Sequence, residues 1–237
     1  MSNALSQFSN DDGHHLYWAG VPDPYGENFT VVFTYAANDN MARDQLLKNH
    51  DSVEDLSVLT QEHLSWGQIV LAGLHWSIDQ VKPVLLNTFL KAYKEAGRQP
   101  PTALLMHAAH TGHVGMFDIA RPYYTFAFLS KDDKSHLAAC VGQGGCVDTL
   151  SRVEKYFLPI HFECAMERAS MNGHQHMVNF LATKCSAQKV LDHMIGENMY
   201  PHCYLPVQNV VNQQQSDMLH RLLSVETKKN TIGRRKI

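Results

Sequence analysis

Leu105-Met106-His107-Ala108-Ala109-His110-Thr111-Gly112-His113 decides the reading of this chain, because its pattern returns twice downstream. The later copies are Ser135-His136-Leu137-Ala138-Ala139-Cys140-Val141-Gly142-Gln143 and Met166-Glu167-Arg168-Ala169-Ser170-Met171-Asn172-Gly173-His174. Each carries a glycine four residues after its first alanine, and Ala108, Ala138 and Ala169 lie 30 and 31 residues apart. Behind each glycine comes a second apolar pattern, Met116, Phe117 and Ala120, then Cys146, Val147 and Leu150, then Met177, Val178 and Leu181. The i, i+1, i+4 spacing puts each triplet on one face of a helix. Every copy therefore reads as helix, tight turn, helix. Small alanines let neighbouring helices approach, and glycine closes a helix in the left-handed conformation at little cost. One such pair cannot bury its apolar face alone, so the copies are expected to stack into a solenoid.

Weaker copies extend the array in both directions. Ile69, Ala72 and Gly73, followed by Val81, Val84 and Leu85, stand 36 residues before the copy at Ala108. A further 36 residues upstream lies Phe33-Thr34-Tyr35-Ala36-Ala37-Asn38-Asp39-Asn40, with Asn40 in the glycine slot, a position asparagine tolerates. Phe29 to Tyr35 is also rich in strand formers and reads equally as a short strand. Downstream, Val207, Val210 and Val211 precede a polar Asn-Gln-Gln-Gln turn and then Met218, Leu219, Leu222 and Leu223, the make-up of a capping unit. The expected organisation is a tail or cap over 1–28, a first repeat or short α/β cap over 29–62, repeats over 63–186, a capping repeat over 187–225 and a basic tail over 226–237.

His136-Leu137-Ala138-Ala139, Ala108-Ala109-x-x-Gly112-His113 and Gly173-His174 with Met177-Val178-x-x-Leu181 together resemble ankyrin repeats, between about Ser65 and Ser186. The resemblance implies an all-α, helix-turn-helix repeat solenoid. Its projecting hairpin loops would be degraded, since neither the full Thr-Pro-Leu-His nor the Gly-Ala-Asp-Val-Asn type of segment is present. Pro83 and Pro122 interrupt the would-be second helices. The resemblance further implies a monomeric protein-binding module, with a protein partner lying across the concave face of the first helices. Carried over residue by residue, that face presents Leu74, His75, His110, Thr111, Cys140, Val141, Met171 and Asn172. The aromatic-rich loop at Tyr123, Tyr124, Phe126 and Phe128 is the competing anchor, since large aromatics serve interfaces as well as cores.

Bulk properties narrow the function. A chain of 237 residues with 44% hydrophobic content can bury a core. Its 20 basic and 23 acidic residues leave a formal charge of −3, which gives no field for bulk nucleic acid. Five cysteines without a CxxC pair fit reduced thiols and a cytoplasmic setting. No apolar run approaches the ~18–20 residues of a spanning helix. The opening residues lack the basic and apolar regions of a signal peptide. Irregular ankyrin arrays with this balance of lysine, asparagine, glutamine and histidine are similar to effectors of intracellular bacterial pathogens, which would place the chain in a host cytosol.

Chemistry has less support in the sequence. His107, His110 and His113 are the tightest of fifteen histidines, yet two three-residue steps leave the outer two ~120° apart on a helix, so no metal site is read there. Gly142-Gln143-Gly144-Gly145 lacks the preceding strand and following Lys-Ser/Thr of a phosphate loop and reads as a turn. Asp23, Asp39, Asp44, Asp51 and Glu54 match no calcium loop. No cofactor is expected. The rival class is a cysteine-dependent hydrolase or transferase, with Cys140 or Cys164 as nucleophile and His107, His136 or His161 as base. Lys228, Lys229, Arg234, Arg235 and Lys236 form a basic run without an acid, read as a solubilising tail, an import signal, or a contact for acidic lipid or nucleic acid.

Overall fold

Leu16, Tyr17, Trp18 and Ala19 are buried in unbroken succession, the signature of a strand covered on both faces rather than one. They belong to β1 (His15–Pro22), the middle strand of a three-stranded antiparallel sheet. β2 (Phe29–Ala36) pairs on one side and β3 (Glu54–Val58) on the other. The β1–β3 register shifts by one residue between Trp18 and Gly20, where Asp55 adopts a φ of +48°, as at a β-bulge. The computed structural model describes residues 8–10, 12–22 and 29–233, and the chain divides into two units, Met1–Thr125 and Phe126–Ile237. The rest of the expected 1–28 tail or cap lies outside the described residues, as do Asp23 and, in the basic run, Arg234, Arg235 and Lys236.

In the first unit, α1 (Asp39–Leu47) covers one face of the sheet. Asn38 caps it, its side-chain oxygen accepting from the Met41 N–H at 3.0 Å. Ala42 and Leu46 then pack among Tyr17, Ala19, Ala36 and Val53. On the other face, Phe33 and Tyr35 meet Trp76 of α2 (Gly67–Asp79) at ring distances of 5.7 and 5.8 Å. The all-α expectation is thereby corrected: the chain is mostly helical but carries this sheet. The Phe33–Asn40 segment is not a repeat helix. Val31, Val32, Phe33, Thr34 and Tyr35 are stiff or aromatic side chains that suit a pleated surface, and they outweigh the Ala36-Ala37 signal.

α2 is followed by α3 (Pro83–Glu95), α4 (Thr102–His110) and α5 (Val114–Ala120). The second unit contains α6 (Lys131–Gly144), α7 (Val147–Val153), α8 (Pro159–Met171), α9 (Gln175–Leu181), α10 (Ala187–Gly196) and α11 (Pro201–Gly233). Four helix pairs, α2–α3, α4–α5, α6–α7 and α8–α9, turn on one residue in the left-handed region: Val81 (φ +52°), Gly112 (+72°), Gly145 (+66°) and Gly173 (+73°). These turn residues lie 31, 33 and 28 positions apart. Around each, the same seven positions are buried: the eighth, seventh, fourth and third before it, and the fourth, fifth and eighth after it. For Gly112 they are Leu104, Leu105, Ala108 and Ala109, then Met116, Phe117 and Ala120. For Val81 they are Gly73, Leu74, Ser77 and Ile78, then Leu85, Leu86 and Phe89.

The middle pair corrects the reading of the sequence by three residues. Gly142 does not close α6; it lies buried inside it, and Gly145 closes the helix instead. The buried triplet of α7 is accordingly Thr149, Leu150 and Val153, while Cys146 stands at the N-cap. Gly142 has a packing role. A Cβ there would run into the Ala165 carbonyl of α8 and lie 2.8 and 2.9 Å from its C and Cα atoms, so only glycine lets the two backbones come this close.

The prolines also act differently from expectation. Pro83 opens α3 at its first position, where its missing N–H costs nothing, and Pro122 sits in the single turn that follows α5. Connections 96–101 and 157–158 link successive pairs within a unit, and neither is a hairpin. Finally, the expected turn at Asn-Gln-Gln-Gln is absent, because α11 runs through it as one helix. Glutamine is a good helix former, and Gln208–Asn212 and Gln213–Asp217 side-chain bonds at 2.9 and 2.8 Å brace the run at i, i+4 spacing.

Candidate partner-binding site

The two residues just before each left-handed turn form the tips of the helix pairs. They are Asp79 and Gln80, His110 and Thr111, Gln143 and Gly144, and Met171 and Asn172. Within the first unit, the His107 Nε2–H donates to Asp79 Oδ1 at 2.7 Å, tying α4 to the tip of α2. The His75 ring stands 5.1 Å from that of His107. Burial lowers the pKa of His75 first, the neighbouring His107 lowers it further, and Asp79 opposes both.

Two histidines do the same work in the second unit. His174 Nε2 donates to the Gln143 carbonyl at 2.8 Å and His176 Nε2 to the Gly145 carbonyl at 2.6 Å. A carbonyl only accepts, so both rings carry their proton on Nε2. The His174 ring occupies the space a Cβ of Gly145 would need, 2.6 Å from Cγ, so this glycine serves both the turn and the clip. Ser170 Oγ, donating to the Cys203 carbonyl at 2.7 Å, and Gln175 Nε2, donating to that of Pro206 at 3.0 Å, fasten α11 to the α8–α9 pair.

Against this frame, four of the eight residues expected at the partner surface stand at tips: His110 and Asn172 exposed, Thr111 and Met171 half-buried. Thr111 Oγ1 donates to the Ala108 carbonyl at 3.0 Å, and Asn172 Nδ2 to that of Arg168 at 2.9 Å. The other four are displaced by the register. Cys140 and Val141 fall a turn early on α6, and Leu74 and His75 lie seven and six residues before Val81. Leu74 and Val141 are fully buried and offer a partner no surface. Cys140 and His75 are half-buried. The tip residues missed are Asp79, Gln80, Gln143 and Gly144. Aligning the copies on the apolar triplets Leu85-Leu86-x-x-Phe89 and Thr149-Leu150-x-x-Val153, instead of on the small residues, is the signal that finds them.

The four aromatics of the loop sit in different environments. In the first unit, Tyr124 is buried with its hydroxyl donating to the Pro101 carbonyl at 2.9 Å, and burial pushes its phenol above the usual range. Tyr123 lines a groove of about 850 Å³ between α3 and α5, shared with Val84, Arg98 and Ile119. Lys94 Nζ sits 6.0 Å from the Tyr123 ring centroid. In the second unit, Phe126 is buried and stacks on Tyr156 at 5.2 Å, whereas Phe128 is 88% exposed.

Burial raises the pKa of Cys140; burial, Glu167 and Glu163 raise that of Cys164; burial and Glu163 raise Cys185 to about 11. All three shifts oppose the thiolate that a nucleophile needs. His161, proposed as a base, is buried, and its Nδ1 accepts the Leu158 N–H at 2.9 Å, closing the start of α8. Burial first, then Lys134 and Lys131, hold it below its usual range. His63 caps Thr60 in the same way at 3.0 Å. Among the described residues, no histidine bonds to Cys140 or Cys164, and no group of three His, Cys, Asp or Glu side chains could hold a metal ion. Comparison with protein-family models, with curated proteins and with solved structures finds no match to this chain.

Proposed function

We propose that this chain is a protein-binding module of ankyrin type, whose binding residues are the helix-pair tips within each unit rather than a catalytic cleft. The observation that carries the reading is the contrast between frame and tips. Seven positions are buried in each of four pairs, while the tips carry an acid and an amide, an imidazole and a hydroxyl, an amide and a glycine, and a thioether and an amide. A repeated frame with chemically varied tips is how a repeat scaffold presents a binding surface, since buried positions answer to packing and exposed ones to the partner. The raised thiol pKa values further favour binding over a cysteine-dependent reaction.

The test uses the full chain as bait in a cell lysate, with captured proteins identified by mass spectrometry. The combined variant Gln80→Ala, His110→Ala, Met171→Ala and Asn172→Ala is compared with a variant of the α3–α5 groove, Val84→Ser with Tyr123→Ala. The reading predicts that the tip variant loses the captured partner at unchanged thermal stability while the groove variant keeps it. Undiminished capture by the tip variant overturns it.

A further inference from the structure

Among the described side chains of α11, Val211 is the last that is buried, and residues 212–222 are exposed throughout. The helix nevertheless continues to Gly233, ~33 Å beyond that point at 1.5 Å per residue. An unsupported helix of this length is marginal in water, so a stretch with large apolar side chains on one side calls for a covering surface. Met218, Leu219 and Leu222 supply those side chains, exposed by 61%, 61% and 58%. Their i, i+1, i+4 spacing places them on one face, and Leu223 and Val225 follow them in the sequence. Ser216, Asp217, His220 and Ser224 fall on the opposite arc. The apolar arc ends at Glu226, after which Lys228, Lys229, Arg234, Arg235 and Lys236 follow without a single acid.

We propose that the exposed stretch of α11 and the basic run after it dock together on an anionic lipid surface. The charge complementarity selects the occupant: an amphipathic helix beside four to eight cations suits an anionic bilayer, apolar side chains entering the interface and the cations meeting phosphate headgroups. No helix among the described residues is long and apolar enough to cross a membrane, so the helix lies on the surface. A second copy of this chain is a poorer occupant. A two-stranded seam through Met218 and Leu222 would meet Gln215 one turn before Met218, and the sequence turns polar from Glu226, which leaves too few apolar layers for a stable pair. Parallel copies would also set five cations against five.

The experiment floats the full chain with vesicles of phosphatidylserine and phosphatidylcholine in about a 1:2 ratio, against vesicles of phosphatidylcholine alone. Binding to the anionic vesicles only is expected, weakening as salt rises. Each cation contributes about a fivefold factor to partitioning, so Lys228→Gln with Lys229→Gln lowers it about 25-fold, and neutralising all five lowers it by about three orders of magnitude. Met218→Ser, Leu219→Ser and Leu222→Ser together also lower it, at unchanged thermal stability of the remaining fold. Equal binding to both vesicle types, or binding that ignores the serine variant, overturns the proposal. So does a concentration-dependent dimer without vesicle binding, dissociated by the serine variant, which assigns the face to a second copy.

Discussion

Replacing Gly142 by alanine tests the packing of the helix pairs, because two effects of opposite sign meet at that residue. Gly142 lies inside α6, where alanine is the better helix former by about 1 kcal/mol. On an isolated helix the substitution would therefore stabilise. Here the new Cβ would lie 2.8 and 2.9 Å from the C and Cα atoms of Ala165, well inside an ordinary contact. The obstacle is backbone and cannot rotate aside, so α6 and α8 must part by about 1 Å, loosening Leu137, Ala138 and Val141 against Ala165, Met166 and Ala169. Overpacking of this kind costs about 1–3 kcal/mol, and the rigid obstacle puts the cost at the upper end. A net destabilisation of about 2 kcal/mol follows after the propensity gain. Gly196→Ala is the control, since a Cβ at that helical position meets nothing within 4 Å, and it should stabilise by about 0.5–1 kcal/mol. Urea titration of the full chain reads both as shifts of the midpoint at unchanged slope. A neutral or stabilising Gly142→Ala would refute the placement of α6 against α8.

Three further outcomes follow from local chemistry. Val81 is a β-branched residue held at φ +52°, so Val81→Gly should raise stability by about 0.5–1 kcal/mol in the same titration, and a loss would mean that the α2–α3 turn differs from the one at Gly112. His161, His63 and His75 all have folded pKa values depressed below the ordinary ~6.5, so below that pH the unfolded chain binds more protons and stability falls as the solution is acidified. His161→Gln keeps a capping acceptor without titrating; it should flatten the acid side of the stability profile, and an unchanged profile would remove His161 as a contributor. Cys140, Cys164 and Cys185 should react slowly with iodoacetamide near neutral pH, because burial raises all three, and one fast thiol among them would restore the catalytic alternative.

Helix pairs were legible in the sequence where a turn glycine and its apolar triplet coincide, as at Gly112 and Gly173 with Met116-Phe117 and Met177-Val178. Register was not legible where glycine has two uses. Gly142 and Gly145 look alike as letters, but one allows a close approach to Ala165 and the other adopts φ +66°, a difference made by a neighbouring helix. At Val81 the turn has no glycine at all, which hid Asp79 and Gln80. The strands were half-legible: Val31 to Tyr35 carries the strand formers, yet β1 is recognisable as a central strand only once α1 covers Ala19 on one face and His63 and Trp66 cover Trp18 on the other. The polar run after Val211 misled because amides signal loops by composition, whereas here they brace a helix. Half of the expected surface residues fall away from the tips with these slips, whereas His110 and Asn172 stand at tips because Gly112 and Gly173 do make the turns.

The most direct measurement is a hydrogen-exchange footprint of the full chain with and without its captured partner. Exchange is expected to slow at the helix-pair tips, around 79–81, 110–113, 143–146 and 171–174, with the α3–α5 groove unchanged. Slowed exchange confined to the groove, or none at any tip, would contradict this expectation.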